Sequence, residues 1–287
     1  VSDPNLFRDF FSYEDIPKVA FNRRLVPLDV PDEIWITDTT FRDGQQSREP
    51  YTVKEMTDLF DMLHRLSGPN GVIRMSEFFL YTKKDREIRA SKKDFQLVKD
   101  IGLKETGILV SCSDYHIFKK MHMTRRQAID HYLAVVRECI ETGVRPRCHF
   151  EDITRADFYG FVIPFASALM DLMEDTGVPI KIRACDTLGY GVTYPGAVLP
   201  RSVPGIIYGL HNHAGVPHEL IEWHGHNDFY RAVNNASYAW LYGASGVNCS
   251  LLGIGERTGN TPLEAMIFEY AQLTGSLNGA DTKAITD

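Results

Sequence analysis

The amino-acid sequence predicts an α/β fold on a parallel sheet, and three observations carry that reading. From Glu33 onward, short β-branched runs alternate with amphipathic helical stretches. The loops between them are short, so each crossover between strands has to be helical and right-handed. Polar clusters gather at the C-terminal ends of the expected strands, where parallel α/β proteins place their functional groups. The 287 residues suit one large domain, and both a (β/α)8 barrel and an open doubly wound sheet are built at this size.

Residues 1–30 are aromatic and irregular, with Phe7, Phe10, Phe11, Tyr13 and Phe21. Pro4, Pro17 and Pro27 break any long helix, so this segment reads as an arm packed on the main body or on a second subunit. The first strand is expected at Ile34–Thr40, then a helix near Val53–Leu66 and a strand at Gly71–Tyr81. A helix near Phe95–Ile101 leads to a strand at Thr106–Cys112, and a helix near Arg125–Glu141 to one at Arg145–Asp152. After a helix near Phe161–Asp175 come the strand Pro179–Asp186, a helix near Val203–Leu210 and the strand Leu220–His224. A helix near Tyr230–Tyr242, the strand Gly246–Leu252 and a helix at Pro262–Leu273 complete the pattern. Residues 31–275 form the main body in this reading, and 276–287 begin a C-terminal extension.

That count gives seven clear strands, one short of a closed barrel. The shortfall has a place. Between Tyr81 and Phe95 the chain reads TKKDREIRASKKD, about half of the ~30 residues that a βαβ unit needs. The expectation is that a segment near Glu87 and Ile88 is missing from the sequence.

Composition narrows the function classes. With 31 Lys plus Arg against 38 Asp plus Glu, the net charge is −7, and no basic stripe offers itself to phosphates, which sets nucleic-acid binding aside. No apolar run approaches the ~20 residues of a membrane helix, and no secretory signal opens the chain, so a cytoplasmic protein is expected. Cys112, Cys139, Cys148, Cys185 and Cys249 are odd in number and form no CxxC pair. Buried, reduced thiols are the economical reading.

Three clusters carry the chemistry. The run from Asp38 to Gln46 closes the first strand with Arg42, Asp43 and Gly44, a sharp turn presenting one cation and one carboxylate. Trp223-His224-Gly225-His226-Asn227-Asp228 places two imidazoles on one strand face, a donor pair suited to Zn, Mn, Co or Fe. The rival run His211-Asn212-His213 precedes Ala214-Gly215 and reads as a helix C-terminus. The third cluster, Gly253 to Asn260, is a Gly-rich loop able to cradle an anion. Two further strand ends are polar: Arg147, His149 and Glu151 share one face, as do Arg183, Cys185 and Thr187, with Asp186 opposite.

These motifs, DTTFRDGQQ, HFEDITRAD, DTLGYG, HGHND and LGIGERTGN, occur in that order between Ile34 and Met266. Together they resemble the isopropylmalate/homocitrate synthase family of metal-dependent Claisen-condensing barrels. The wording FEDITRADFYGF, RACDTLGYG and ERTGN and the aromatic arm resemble most a subgroup that condenses acetyl-CoA with oxaloacetate. The resemblance implies a (β/α)8 TIM barrel behind an N-terminal aromatic arm. It implies a divalent metal, Mn, Zn, Co or Mg, on Asp43, His224 and His226, with Asn260 at or near the coordination sphere. It assigns Arg42 to developing enolate or alkoxide charge, Glu151 to proton transfer, and Gln46 and Thr187 to the 2-oxo acid. It further implies a homodimer whose C-terminal accessory region lies beyond this chain. Phe41, His149 and the pair Phe229-Tyr230 depart from the family pattern around the substrate pocket.

Arg147, His149, Arg183 and Arg89 make the expected pocket basic, and bidentate charge-assisted contacts favour a dicarboxylate. Oxaloacetate is the first expectation and 2-oxoglutarate the second; the bland alternative pairs these arginines with Glu77, Glu222 or Asp186. An apolar pocket for an isopropylmalate-type acceptor is the rival within the family. A lyase of the HMG-CoA-cleaving type would resemble a pattern with a catalytic Cys in a Gly-rich loop, and no Cys lies between Gly253 and Glu264. A non-catalytic metabolite-binding barrel has no use for Arg42, Asp43, Glu151, His224 and His226 together.

Overall fold

The computed structural model of the chain describes residues 18–75 and 92–286. Strands and helices alternate as β1 (Trp35–Asp38), α1 (Val53–Ser67), β2 (Ile73–Met75), α2 (Lys92–Asp100), β3 (Glu105–Ser111), α3 (Arg125–Thr142) and β4 (Arg145–Glu151). They continue as α4 (Ile163–Thr176), β5 (Lys181–Asp186), α5 (Val203–Ala214), β6 (Ile221–Gly225), α6 (Ala232–Leu241), β7 (Gly246–Cys249) and α7 (Leu263–Thr274). Local chemistry sets their limits. Thr124 Oγ1 accepts the Gln127 N–H at 3.2 Å while Gln127 Oε1 accepts the Thr124 N–H at 2.9 Å, a capping box that starts α3.

All strand pairs are parallel, in the order β2-β1-β7-β6-β5-β4-β3. One face of the sheet is apolar: Ile36, Val110, Phe150, Ile182, Trp223 and Val247 are fully buried in the layer shared with the helices. Alternation then forces the polar residues of the same strands onto the inner, concave face.

The sheet corrects the expected closed barrel. It is a seven-stranded, all-parallel open half-barrel, and β2 and β3 are its edges among the described residues. The opening falls where the sequence is short: only residues 76–91 separate β2 from α2, too few for the helix and strand that a further βαβ unit requires. Arg89 and the stretch near Glu87 and Ile88 lie outside the described residues, as do Glu77, Phe7, Phe10, Phe11 and Tyr13.

The described part of the arm is a strap. Asn22 N–H donates to Gly196 O at 2.7 Å, Val198 N–H to Ala20 O at 3.0 Å, and Asp29 N–H to Leu241 O at 3.0 Å. Phe21 stacks on Tyr194 at 6.4 Å. The five cysteines are free and buried. Among the described residues no helix is long and apolar enough to cross a membrane.

Candidate metal and active site

The concave face is built in charged layers. Near the strand N-termini, Arg147 Nη1 lies 3.0 Å and Lys181 Nζ 3.1 Å from the Glu105 carboxylate. Arg183 Nη2 lies 2.8 Å from Glu222 Oε2, with Arg147 Nε at 4.0 Å. Burial alone would raise the Glu222 carboxyl, but Arg183, Arg147 and Lys181 outweigh it and hold it at about 2. One layer up, His149 Nε2 accepts from Arg147 Nε at 3.2 Å. Burial, then Arg183 and Arg147, push this imidazole well below its usual range, so it is neutral.

Above these layers sit the expected metal ligands. The turn after β1 folds back on itself, with Arg42 N–H and Asp43 N–H both donating to Thr39 O at 3.0 and 2.8 Å. Asp43 Oδ2 accepts from Thr39 Oγ1 at 2.8 Å and from Asn260 Nδ2 at 3.2 Å, and Arg42 pairs with Oδ1. His224 Nδ1 is bonded to Asn248 Oδ1 at 2.8 Å and lies 3.9 Å from Asp43 Oδ2. Its Nε2 faces His226 Nε2 at 3.2 Å. Burial first, then Arg183, lowers His224 to about 3; burial and then His224 lower His226 to about 3. Both rings are neutral donors at physiological pH.

This set suits a divalent cation. Two neutral imidazoles stand beside a carboxylate, and the buried His226 Nδ1 and Asn260 Oδ1 have no hydrogen-bond partner among the described residues. The three expected ligands are adjacent rather than converged, because Asp43 faces Nδ1 of His224 while the two Nε2 atoms face each other. Among the described residues, the group of three whose ligand atoms lie within 4.8 Å of one another is Asp29, His211 and His218, at the other end of β6.

Loop geometry locks the mouth. His226 and Asn260 form an antiparallel bridge, and Asn227 N–H donates to Gly259 O at 2.9 Å. A Cβ on Gly255 would stand 2.1 Å from Asn260 Oδ1, so only glycine lets the loop reach that amide. Arg257 Nη2 donates to Thr187 O at 2.6 Å, and its Nε pairs with Asp228 at 2.7 Å, tying three loops together. Asp152, Tyr230, Leu252 and Arg257 hold positive φ of 62°, 56°, 55° and 56°, backbone strain of the kind concentrated at functional sites.

Glu151 ends β4 on the concave face. It accepts from Ser111 Oγ, and His116 Nδ1 and Lys120 Nζ lie 3.5 and 3.9 Å from its Oε2. Thr187 Oγ1 accepts the Asp152 N–H at 2.8 Å, and Gln46 stands exposed in the turn Gly44–Ser47. Sequence reasoning missed Ser111, His116 and Asn248. Ser111 pairs in register with Glu151 across β3 and β4, a relation that appears only once strand pairing is known.

Comparison with known proteins gives this geometry a family. The HMGL-like family model matches residues 83–287. The chain is 58% identical to a citrate (Re)-synthase of Clostridium kluyveri over 305 residues, covering 100% of this chain and 67% of that protein. It is 54% identical to a citrate (Re)-synthase of Syntrophus aciditrophicus, covering 100% of this chain and 48% of that one. The chain therefore spans about two thirds and about half of these curated relatives. A hydroxymethylglutaryl-CoA lyase from Pseudomonas aeruginosa superposes with a TM-score of 0.63 at 18% identity, covering 90% of this chain and 91% of that one, which shows the fold alone. The chain belongs to the HMGL-like family, the superfamily that also includes the isopropylmalate and homocitrate synthases.

Proposed function

We propose that the chain carries the condensing centre of an acyltransferase joining acetyl-CoA to a 2-oxo acid, with oxaloacetate as acceptor, water hydrolysing the thioester after condensation, and citrate and CoA as products. The observation that carries this reading is the neutral His224/His226 pair beside Asp43 and Arg42, set above a concave face on which Arg147 and Arg183 are ion-paired to Glu105 and Glu222. The similarity to citrate (Re)-synthases supports the choice of acceptor.

Asp43, His224 and His226, with Asn260 steadying Asp43, would hold a divalent cation, which when bound supplies Lewis acidity toward the 2-oxo acid. Arg42 faces the oxyanion charge that develops as the new carbon–carbon bond forms, a contribution of ~3–4 kcal/mol for a preorganised donor. Glu151, oriented by Ser111 and flanked by His116, takes the methyl proton of acetyl-CoA. Gln46 and Thr187 contact the 2-oxo acid. Arg147, with neutral His149 above it and Arg183 alongside, receives the distal carboxylate.

In the same reading residues 31–275 are the barrel body and 276–287 lead into an extension. Exposed Phe21, Leu25, Leu28 and Val30 along the strap support a homodimer with the arm at its boundary, in the cytoplasm.

Thiol release from acetyl-CoA, assayed with oxaloacetate, 2-oxoglutarate and 2-oxoisovalerate, tests the proposal. Oxaloacetate should be preferred. A preference for 2-oxoisovalerate replaces this reading with the isopropylmalate one, and absence of thiol release with every acceptor, together with carbon–carbon cleavage of hydroxymethylglutaryl-CoA, would favour a lyase.

A further inference from the structure

The run Phe229-Tyr230-Arg231 leads from β6 into α6, and no step of the proposed condensation uses it. Tyr230 has a φ of 56° and is 83% exposed. A bulky residue in the left-handed region is an outlier, and a ring standing in solvent gains no burial to offset the strain. The backbone is fastened on both sides of it. Tyr230 N–H donates to Asn227 O at 2.9 Å, and Ala232 N–H to Asn227 Oδ1 at 3.2 Å. Strain of this kind collects where a ligand is gripped.

The neighbours of Tyr230 form a cationic, ring-lined ledge beside the mouth. Arg231 Cζ lies over the rings of Tyr194 and Phe229, 5.3 and 5.8 Å from their centres. Phe229 continues to Tyr190 at 5.4 Å, and Arg201 Cζ lies 5.2 Å from the centre of the Tyr190 ring. Phe21 backs Tyr194 from the strap. Arg42, Arg147, Arg183 and Arg257 each have a carboxylate partner. The half-buried guanidinium of Arg231 has no ion pair or hydrogen bond among the described residues. Burial lowers Arg201 from its usual range, Asp186 opposes that, and the charge of Arg231 adds to it, so two like charges share the ledge. Cation–π contact steadies Arg231, but it satisfies none of the N–H donors.

We propose that this ledge takes the phosphoadenosine end of coenzyme A, with a phosphate on Arg231 and the adenine stacked on Tyr230. The proposal rests on the reading of acetyl-CoA as co-substrate. Guanidinium binds phosphate oxygens bidentately, and any base can stack on an open aromatic ring. The position suits the task. Arg231 follows His226 by five residues, so at most ~18 Å of chain separates the ledge from the proposed metal ligand. An extended pantetheine arm can cross that gap and carry the acetyl group to the mouth. The 2-oxo acid has its own receptors on the concave face below.

The test titrates the full chain in a calorimeter with CoA and with adenosine 3′,5′-bisphosphate, and both should bind. Tyr230→Ala and Arg231→Gln should each weaken both at least tenfold, and Arg231→Lys, which keeps the charge, should recover part of the loss. In thiol release, the preference for acetyl-CoA over S-acetylpantetheine, which lacks the nucleotide, should fall at least tenfold in the same two variants. If Arg231→Gln fails to fold by circular dichroism, Tyr230→Ala decides, because its ring stands in solvent. CoA binding that depends on Tyr230 and Arg231, in a chain that releases no thiol with any acceptor, keeps the ledge and overturns the condensing reading. Thiol release with CoA affinity and acetyl-CoA KM unchanged in both variants overturns the ledge and leaves the condensing reading standing. A wild-type chain that binds neither CoA nor the bisphosphate overturns the ledge as well.

Discussion

His224 donates its Nδ1–H to Asn248 Oδ1 at 2.8 Å, and the amide is held in that orientation from β1. Asn248 Nδ2 donates to Thr37 Oγ1 at 3.0 Å and to Thr37 O at 3.4 Å. A carbonyl cannot donate, so Oδ1 has to face the ring, and the neutral imidazole keeps its Nε2 lone pair for a ligand. Asn248→Ala should therefore cost about 10–100-fold in metal affinity without removing any ligand. Asn248→Asp keeps an acceptor at Oδ1 and should restore most of it. Calorimetric titration of the stripped protein measures both, and an unchanged affinity in Asn248→Ala would show that another contact sets the ring.

Glu151→Gln separates proton transfer from structure. Glu151 is only half-buried, and its neighbours Ser111 and His116 can hydrogen-bond a neutral amide, so Tm should move little. Loss of a positioned acid–base group costs roughly 10²–10⁴-fold in rate, and kcat should fall by that much with metal content unchanged. A kcat within tenfold of wild type, measured by thiol release, would remove Glu151 from the proposed mechanism.

Asp38 and Asp186 give the fold an unusual acid response. Burial lifts both carboxyls from 3.8 to about 6, against hydrogen bonds from Thr40 to Asp38 and from Thr154 and Gly191 to Asp186. The unfolded chain loses these protons first and the native chain loses them near 6. Their contribution to stability is thus fully present below the unfolded value and is lost as pH rises through the window to about 6. The loss is of the order of 3 kcal/mol per group. Urea denaturation between pH 4.5 and 7 should show a shallower loss in Asp186→Asn than in wild type. Parallel slopes for the two proteins would mean that Asp186 is ionised in the fold throughout.

The pattern of strands was legible because each inner-face residue has an apolar neighbour on the outer face. Ile182, Ala184 and Asp186 alternate with Arg183 and Cys185 along β5. The mouth residues were legible from their motifs, since Asp43, His224 and His226 stand at strand ends whose direction the alternation fixes. Pairings across strands were not legible. Glu105 was not singled out, although it sits beside Arg147 in the folded sheet, and Asn248 gained meaning only from β7 lying between β6 and β1. The half-open sheet was visible in advance only as a shortage of residues after β2.

Arg147 offers the sharpest decision about substrate. It is buried, its Nη1 lies 3.0 Å from Glu105 and its Nε 3.2 Å from His149 Nε2. Removing one member of such a buried charge set costs roughly 3–5 kcal/mol, so Arg147→Ala should be markedly destabilised whatever the substrate. Lost turnover in that variant alone would not separate recognition from folding. The double variant Arg147→Ala with Glu105→Gln removes the carboxylate that would otherwise be left with Lys181 alone, and should recover part of the stability in urea denaturation. If Arg147 receives the distal carboxylate, the double variant should still turn over oxaloacetate on the order of 100-fold more slowly, the equivalent of one lost charge contact. Turnover of 2-oxoisovalerate, which has no distal carboxylate, should fall far less. Recovery of oxaloacetate kinetics together with stability would make Arg147 a positioning residue for His149, and the task of reading a dicarboxylate would then rest with Arg183 and His149.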